Sequence, residues 1–555
     1  MRVPRSIPFL TLLCLFTLPA PARPAEKTDA RPPDMVMQIK PIDDLIADFK
    51  YLAKLAGQEQ HAQQGEGFLT MMLGENHAGI DFKRPIGIYG NFGEGLDGTG
   101  AVLIPISNEK DFLDFIEDKL KQKPEKGDDG IYSVPAPMVG QVYFRLNQGY
   151  LYVTAQNKTA LEKEKMLDPA KVLPAEHAAL FRAAFRLDRL PDAAKQFALQ
   201  AIDQRIEELK DKEQPGETKV QRQAREKAVE DIGKRIGTLV NEGGEFRFRI
   251  DIDREAGKLR GDLDFAGKAG SSLASDISEL GKSQSLFAGA ADAEDAAVQL
   301  LVHCAVPENL RQTFEPLVQE AIQKAVQQEK DEAKRATFKK VFDVLAPTFK
   351  SGELDALFAL RGPDEEHHYT FVAGIKVKDG KAIDGAIRDM VKGLPERDQK
   401  RIKFDAESAG DVKIHQVDVQ HDADKDTRKV LGDHPAYFAV RDDAIIVAAG
   451  AGGLDALKHL LEAEAKAGPQ FRLDIAMARL APMMAHEHKN AVEAAKAAFA
   501  DAADKDRIHV SVQGGERLSL HFSMDARVLT FASKMDHGNN GEKKKEKDDD
   551  DDKDK

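Results

Sequence analysis

The stretch Val142-Tyr143-Phe144-Arg145-Leu146-Asn147-Gln148-Gly149-Tyr150-Leu151-Tyr152-Val153-Thr154-Ala155 decides the fold. Two short apolar runs flank the turn residues Asn147-Gln148-Gly149, which predicts a β-hairpin, and we expect a helix to begin near Thr159. A second stretch, Ala436-Tyr437-Phe438-Ala439-Val440-Arg441-Asp442-Asp443-Ala444-Ile445-Ile446-Val447-Ala448-Ala449, repeats the pattern at a constant shift of 294 residues. Tyr, Phe, Val and Ala coincide at four places, and apolar residues face apolar residues at most others. We interpret the two stretches as traces of an internal duplication.

The same succession of predicted elements leads to both hairpins: a strand, a helix opened by a proline, two strands, an amphipathic helix and another strand. In the first half, Ser107 or Asn108 caps the amphipathic helix, whose apolar stripe consists of Phe112, Phe115, Ile116 and Leu120. The first-half elements are the strand 36–40, the helix from Pro41, and the strands 85–92, 100–106 and 131–134. Those of the second half are the strand 298–306, the helix from Pro307, the strands 354–360 and 369–377, the helix 382–391 and the strand 412–419, with a helix at 454–464 after the hairpin.

We therefore predict an α+β fold made of two similar halves, residues 34–268 and 285–535, each an antiparallel sheet covered by helices. Residues 269–284 connect them. The first half also contains a long charged helical hairpin, Ala193–Lys212 with Lys219–Thr238, because acidic and basic residues recur there at spacings of three and four. The sequence leaves open whether the halves stand apart or share one sheet.

The chain begins with the features of an export signal. Arg2 and Arg5 precede an apolar run from Ile7 to Leu18, which is too short to span a bilayer. Small residues allow cleavage after Ala22 or after Ala25. We therefore predict a signal peptide at residues 1–25, and an exported protein located in the periplasm or outside the cell.

Both ends of the mature chain are expected to lack a packed structure. Residues 26–33 are charged and rich in proline, which is typical of a flexible leader. Residues 536–555 end in blocks of lysine and aspartate, which predicts a disordered tail. No run after the signal is long and apolar enough to predict a membrane helix.

The composition argues against two kinds of partner and one kind of stabilisation. The formal net charge is −14, and cleavage after Ala22, which removes Arg2 and Arg5, takes it from −14 to −16. Nucleic acids and anionic membranes need a basic surface, so neither is expected as a partner. Cys304 is the only cysteine beyond the signal, so no intramolecular disulfide is expected. Its apolar surroundings favour a small buried hydrophobe over a reactive thiol.

Two motifs resemble catalytic or cofactor sequences. Gly93-Glu94-Gly95-Leu96-Asp97-Gly98 has the spacing of a dinucleotide-binding loop, but a strand is predicted after it where that loop needs a helix. We interpret the segment as a hairpin loop. Ser107-Asn108-Glu109-Lys110 has the Ser-x-x-Lys spacing of penicillin-recognising enzymes, but the chain has no Ser-Asp-Asn or Lys-Thr-Gly partner for it. Capping of the next helix is the preferred role of this serine.

Three polar clusters suggest metal ligands. His486-Glu487-His488 and His367-His368 lack the four-residue spacing of zinc helices, and we interpret His486 and His488 as exposed residues of a helix start. Asp422-Ala423-Asp424-Lys425-Asp426 imitates the start of a calcium loop, but Thr427 replaces the required glycine. A polar loop between strands is preferred there. We therefore assign no catalytic residue, no cofactor-binding residue, no metal ligand and no cofactor.

The succession of strand, Ile-Pro-Ile-Ser, a helix with Phe-Leu-x-Phe-Ile, strand, hairpin and helix at residues 100–165 resembles a class of exported bacterial proteins of unknown function. In that class a hairpin followed by a capped helix recurs along the chain. The segment Leu259 to Phe265 followed by Gly270-Ser271-Ser272-Leu273-Ala274 resembles another recurring piece of the class. The resemblance implies repeated α+β units and no known activity.

Three functions remain open. The first is a non-catalytic binding or scaffold protein of the cell envelope, with an unknown protein as its partner. The second is a carrier of a small hydrophobic ligand, suggested by the aromatic set Tyr143, Phe144, Tyr150 and Tyr152, for which ordinary sheet core is the preferred interpretation. The third is a hydrolase with an unrecognised site, which a serine, a histidine and a carboxylate within hydrogen-bond reach would favour.

Overall fold

A computed structural model of the chain describes residues 32–535 except for the gaps 61–62, 65–66, 68–70, 72–76, 94–97, 137–139, 156, 175–178, 213–214, 292–293, 329–334, 336–342, 349, 420–423 and 503. The predicted signal peptide, most of the predicted leader and the predicted tail lie outside the described residues. In the described part of the chain, no helix combines the length and the apolar composition needed to cross a membrane.

The protein has a mixed α+β fold with extensive antiparallel sheet, as the sequence predicts. The chain forms two compact units. One consists of the residues up to 200 together with 240–269, and the other consists of 201–239 together with the residues from 270 onward. The boundaries at 34–268 and 285–535 stay predictions, and the segment 269–284 between them contains a helix.

The first unit contains ten strands in the spatial order β4-β5-β6-β7-β3-β2-β1-β8-β9-β10, all paired antiparallel. The strands are β1 (Met35–Ile39), β2 (Ile86–Phe92), β3 (Gly98–Pro105), β4 (Glu125–Lys126), β5 (Tyr132–Ala136), β6 (Gly140–Asn147), β7 (Tyr150–Ala155), β8 (Phe181–Arg186), β9 (Gly243–Asp253) and β10 (Lys258–Gly267). The helices are α1 (Ile42–Leu55), α2 (Glu109–Leu120) and α3 (Pro169–Val172). Between β8 and β9 the chain forms α4 (Asp192–Asp211) and α5 (Lys219–Glu242).

The main sheet of the second unit has the spatial order β15-β16-β17-β18-β14-β13-β12-β20-β21-β22, again antiparallel throughout. Its strands are β12 (Ala296–Ala305), β13 (Glu353–Arg361), β14 (Thr370–Lys376), β15 (Ile402–Ala409), β16 (Val412–Val417), β17 (Ala436–Val440), β18 (Ala444–Ala449), β20 (Phe471–Ala476), β21 (Arg507–Gln513) and β22 (Leu518–Asp525). A small separate sheet pairs β11 (Gln284–Ser285) with β19 (Lys466–Ala467).

The second unit also contains helices from residue 272 onward. They are α6 (Ser272–Lys282), α7 (Glu308–Gln328), α8 (Gly380–Lys392), α9 (Glu396–Gln399), α10 (Lys425–Leu431), α11 (Gly453–Leu461), α12 (Met477–Met484) and α13 (Ala491–Phe499). Residues 343–348 and 527–535 are also helical. Leu457 and Leu460 of α11 pack with Leu301, Leu357 and Ile446 in a cluster that covers one face of this sheet.

The hairpin at Val142 to Ala155 forms as predicted. Strands β6 and β7 pair from Val142 with Ala155 to Asn147 with Tyr150. The turn between them has positive φ angles at both central residues, Gln148 (51°) and Gly149 (71°). Positive φ at both positions matches the right-handed twist of the flanking strands, so the turn closes the hairpin without splaying it.

The helix expected to begin near Thr159 is present only as one short 3₁₀ turn. The chain makes a single 3₁₀ turn, Lys158–Leu161, whose first residue follows the Asn157 cap. The Leu161 carbonyl accepts a hydrogen bond from Arg145 Nη1 at 2.7 Å, so a guanidinium occupies the acceptor that a continuing helix would use. Leu161 itself is fully buried, which holds the turn in the core.

The charged segment between β8 and β9 forms two helices close to the predicted bounds. Residue pairs at spacings of three and four carry ion pairs, among them Lys210–Glu207 at 3.0 Å and Lys234–Glu230 at 2.7 Å. Such exposed pairs contribute a few tenths of a kcal/mol each. Helix α5 contacts α7 through Asp231 and Thr313, whose side chains are 3.5 Å apart and buried.

Candidate functional site

One face of the second sheet carries only apolar side chains on seven adjacent strands, β18-β14-β13-β12-β20-β21-β22. Two rows of residues cross these strands, and we call them together the apolar face. The first row consists of Ile445, Ile375, Ala356, Val302, Phe471, Val512 and Leu520. The second row consists of Val447, Ala373, Phe358, Leu300, Leu473, Val510 and Phe522. Neighbouring strands lie about 4.8 Å apart, so each row is about 29 Å long.

The apolar face is accessible to solvent, whereas the opposite face is buried on strands β12, β13, β14 and β18. Ile375 is 42% exposed and Val447 is 37% exposed. The next residues along two of these strands point the other way, and Leu301 (1%) and Ile446 (0%) are buried under α11. Strands whose odd- and even-numbered residues are both apolar normally have both faces of the sheet covered. Here, among the described residues, helices cover the opposite side but leave the two rows of the apolar face partly exposed.

A third row on the same side is covered by helices. Ile508 and Met524 belong to it and pack against the cluster formed by α12, α13 and the helix at 527–535. Leu360 and Phe371 of this row pack with Met483 of α12. The helices that cover this row therefore border the apolar face on one side. A concavity of about 280 Å³ lies over the open part. Its lining is Leu300, Val302, Ala356, Leu357, Phe358, Ala373, Gly374, Ile375, Ile445 and Val447.

The corresponding face of the first unit is filled by its own side chains at one end. Phe144, Leu151 and Val153 are buried there in a cluster with Phe112 of α2. Towards the other end, the rings of Phe181 and Phe248 pair at 6.0 Å between centroids. The open apolar concavity described above belongs to the second unit.

A larger cleft, of about 450 Å³, lies on the helix-covered side of the second sheet beside α11. Its floor is part of the core cluster, and its rim carries Glu294, Asp295, Arg361 and His459. Arg361 Nε donates to both carboxylate oxygens of Asp295 at 2.9 Å, so this cation is neutralised within the rim. An anionic ligand would need a cation in this cleft, but Arg361 is already paired with Asp295. The cleft is therefore poorly suited to an anionic ligand.

A polar cluster lies on strands β20 and β21, on the side opposite the apolar face. His509 Nδ1 is 2.7 Å from Asp474 Oδ1, and His509 Nε2 is 3.2 Å from Ser511 Oγ. Burial alone raises the pKa of Asp474, but hydrogen bonds from His509 and Arg472 hold that pKa below its ordinary value. In the tautomer that carries its proton on Nδ1, His509 donates a hydrogen bond to Asp474, and Nε2 accepts one from the Ser511 hydroxyl.

The aromatic set of the first hairpin is core, as preferred from the sequence. Tyr150 and Tyr152 are buried, with Tyr143 packed against the same cluster, and Phe144 is buried in a second cluster. The Tyr152 hydroxyl donates to the Leu167 carbonyl at 2.7 Å, and the Tyr150 hydroxyl donates to the Pro85 carbonyl at 3.2 Å. The set therefore packs as sheet core, and the carrier hypothesis rests on the apolar face instead.

The two motifs that resemble catalytic sequences have structural roles. Residues 94–97 of the glycine-rich segment lie outside the described residues, but Phe92 pairs with Gly98 and strand β3 follows, as predicted. The capping role preferred for Ser107 is wrong, because Asn108 Oδ1 accepts from the amides of Lys110 and Asp111. Ser107 instead donates to the Gly79 carbonyl at 3.1 Å.

The suspected metal ligands are dispersed. His486 and His488 lie in the segment between α12 and α13, before a helix start, and His486 is exposed whereas His488 is half-buried. His367 lies in an exposed turn with φ 67°. Residues 422 and 423 of the polar loop expected at 422–426 lie outside the described residues. The expectation is wrong for 425–426, because Asp424 accepts from the Thr427 amide at 2.7 Å and caps α10. Among the residues that the structure describes, no three His, Cys, Asp or Glu side chains are grouped as metal ligands would be.

Cys304 is half-buried at the end of the apolar face, where it pairs with Leu354 across strands β12 and β13. Burial raises the pKa of its thiol, which disfavours the reactive thiolate.

The site residues that sequence reasoning missed are the rows of the apolar face and the Asp474–His509–Ser511 cluster. Alternation in Arg472 to Asp474 and His509 to Ser511 marks polar positions, but only strand pairing brings them together.

Comparison of the chain with models of protein families, with curated protein sequences and with solved structures gave no match.

Proposed function

We propose that this chain is a binding protein that carries a small hydrophobic ligand on the apolar face of its second unit. The observation that supports the proposal is the exposure of two all-apolar rows over a concavity, on strands whose other face is buried. Apolar surface left in water costs about 25 cal/mol per Å², so a monomer that exposes a continuous patch gains by covering it.

The chemistry of the patch favours a small ligand over a protein partner. Protein interfaces carry about one hydrogen bond per 100–200 Å². The fourteen side chains of the apolar face offer no hydrogen-bonding group, because all are Ala, Val, Leu, Ile or Phe. A partner's peptide groups laid across these rows would lose their water without compensation. A lipid-like or other hydrocarbon-rich molecule has no such groups to satisfy.

A second candidate, the scaffold function, is favoured by a different surface. Ile232, Ile236 and Leu239 of α5 lie at spacings of four and three, so they share one side of the helix, and all three are exposed. An exposed apolar stripe of this kind suits an amphipathic helix of a protein partner. None of these three residues lines the concavity over the apolar face.

We also propose that the predicted halves 34–268 and 285–535 are copies of one ancestral unit, with the charged helical hairpin α4–α5 inserted between β8 and β9 of the first half. The spatial strand orders support this proposal. Each sheet has ten strands, and the order that begins with β4 and ends with β10 matches, place by place, the order that begins with β15 and ends with β22. The pairing registers support it too. Val153 pairs with Val102 in the first sheet, and Val447 pairs with Ala373 in the second. Val153 and Val447 are themselves related by the 294-residue shift. Export after removal of residues 1–25, and kinship with repeated α+β exported proteins, belong to the same proposal.

Titration with a fluorescent long-chain fatty acid tests the carrier function, with two matched variants. Val447→Glu places a carboxylate on the apolar face, and Ile236→Glu places one at an equally exposed position (38% against 37%) on α5. We expect saturable binding by the unmodified chain, at least about ten-fold weaker binding by Val447→Glu, since the carboxylate must lose water, and unchanged binding by Ile236→Glu. Absence of saturable binding, or equal losses in both variants, would refute the proposal.

A further inference from the structure

We propose that Ser511 is a reactive nucleophile towards activated acyl esters, with His509 as its general base and Asp474 as the residue that positions His509. This site lies on the side of β20–β22 opposite the apolar face. It does not depend on the carrier function, and it adds a chemical activity to a chain in which the sequence shows none.

The distances match the order of contacts that nucleophilic catalysis by serine requires. The base must lie within hydrogen-bond reach of the hydroxyl, and a third group must orient the base. Here Asp474 Oδ1 is 2.7 Å from His509 Nδ1, and His509 Nε2 is 3.2 Å from Ser511 Oγ. The imidazole therefore lies between the carboxylate and the hydroxyl.

The strand geometry holds these groups in place. His509 and Ser511 are two residues apart on β21, so their side chains project to the same side of the sheet. Asp474 lies directly opposite His509 on β20, and Arg472 lies directly opposite Ser511. Arg472 Nε donates to Asp474 Oδ2 at 2.6 Å, which fixes the carboxylate as well. Rigid elements position such groups more accurately than loops do.

The arrangement is more specific than a solvated sheet face needs. In the first unit, β8 and β9 occupy the same places as β20 and β21. The pair at the position of Asp474 and His509 is Ala184 with Arg247. Arg249 follows at the position of Ser511. At these positions the first unit has a polar surface without a carboxylate, an imidazole and a hydroxyl placed next to one another. Packing alone does not demand them in the second unit.

The surroundings of Ser511 suit a developing negative charge through side chains. Strand β21 is paired on both sides, so its backbone N–H groups are used by the ladders. Arg472 lies opposite Ser511 on one neighbouring strand and His521 lies opposite it on the other. Without backbone donors we expect slow turnover, because loss of one oxyanion donor alone costs about 10²–10³ in rate. The His509 side chain is 33% exposed, so small esters can reach it.

The acylation step balances with the groups present. Ser511 Oγ attacks the ester carbonyl carbon while His509 Nε2 accepts the hydroxyl proton. The bond to the leaving alcohol then breaks, and the alcohol takes this proton from His509. Water removes the acyl group from Ser511 by the same proton route. With a fluorophosphonate, the Oγ–P bond forms, the P–F bond breaks, fluoride leaves and the proton stays on His509.

Labelling of the full chain with a fluorophosphonate, followed by intact mass measurement and peptide mapping, tests the proposal. We expect one added phosphonyl group on Ser511, no addition in Ser511→Ala, and labelling at least ten-fold slower in His509→Gln. Ser523→Ala is the matched control, because Ser523 lies directly opposite His509 on β22. It should be labelled like the unmodified chain, and thermal midpoints verify that all variants fold.

Asp474→Asn separates positioning from a structural role. Hydrolysis of p-nitrophenyl acetate by this variant should be slower at every pH and should follow a different pH profile, because Asn no longer holds the Nδ1 proton in place. No labelling of the unmodified chain, labelling of another serine, or full reactivity of His509→Gln would overturn the proposal. An unchanged pH profile in a folded Asp474→Asn would remove Asp474 from it.

Discussion

Two glycine-to-alanine changes in one helix should have opposite effects on stability. Gly380 is the first residue of α8, and a Cβ there would lie 1.8 Å from the Arg441 carbonyl oxygen and 2.8 Å from the Arg441 carbonyl carbon. Ordinary contact begins at 3.4 Å, so the β17–β18 turn must move by about 1.6 Å. Gly385, in the same helix, has nothing within 4 Å of an added Cβ.

The magnitudes follow from these contacts. Overpacking against backbone costs about 1–3 kcal/mol, and moving the turn also strains the 3.0 Å hydrogen bond from the Gly380 amide to the Asp442 carbonyl, worth about 1 kcal/mol. Gly380→Ala should therefore destabilise by about 2–4 kcal/mol. Gly385→Ala should stabilise by about 0.5–1 kcal/mol, because alanine is the better helix former and loses less backbone entropy.

Urea denaturation followed by far-ultraviolet circular dichroism measures both changes. We expect the two midpoints to move in opposite directions with similar slopes, since the surface exposed on unfolding is unchanged. Equal stability of Gly380→Ala and Gly385→Ala would refute the close packing of α8 on the turn between β17 and β18.

Three further changes test the core. Burial lowers the pKa of His415, so the unfolded chain takes up a proton at this residue first as the pH falls below about 6.5. Stability is therefore lost as the pH falls. His415→Gln removes this effect and should flatten the fall of the thermal midpoint between pH 7 and pH 5. Asp355→Ala removes the buried acceptor of the Ser285 hydroxyl and of a backbone amide, both at 2.7 Å, and should lower the free energy of unfolding by about 3 kcal/mol in urea titration, against little change for an exposed aspartate. Tyr152→Phe removes one hydrogen bond of a fully buried ring and should cost about 1 kcal/mol by the same measurement.

Local elements could be predicted where short-range physics decides them. The stripe of α2 at helical spacing predicts its buried side, and Phe112 is indeed buried. The turn after Asn147 needs positive φ angles, which glycine supplies at Gly149. The charged helices α4 and α5 follow from paired acids and bases along the segment.

Elements decided by distant contacts could not be predicted. The segment after Asn157 stops at one turn because Arg145 binds the Leu161 carbonyl, a contact that spacing does not reveal. Apolar runs such as that around Leu300 show that a strand can be covered on both faces. They do not show that one face stays open. Asp474 and His509 are 35 residues apart in the chain, and only the pairing of β20 with β21 brings them together.

The most direct test of the apolar face is photo-crosslinking of the full chain with a diazirine-bearing fatty acid, followed by peptide mapping of the adducts. We predict adducts on β12, β13, β14 and β18, near residues 300–302, 356–358, 373–375 and 445–447, that disappear when unlabelled fatty acid is in excess. Adducts confined to the first unit or to α5, or adducts that persist under competition, would contradict the assignment of this face as the ligand site.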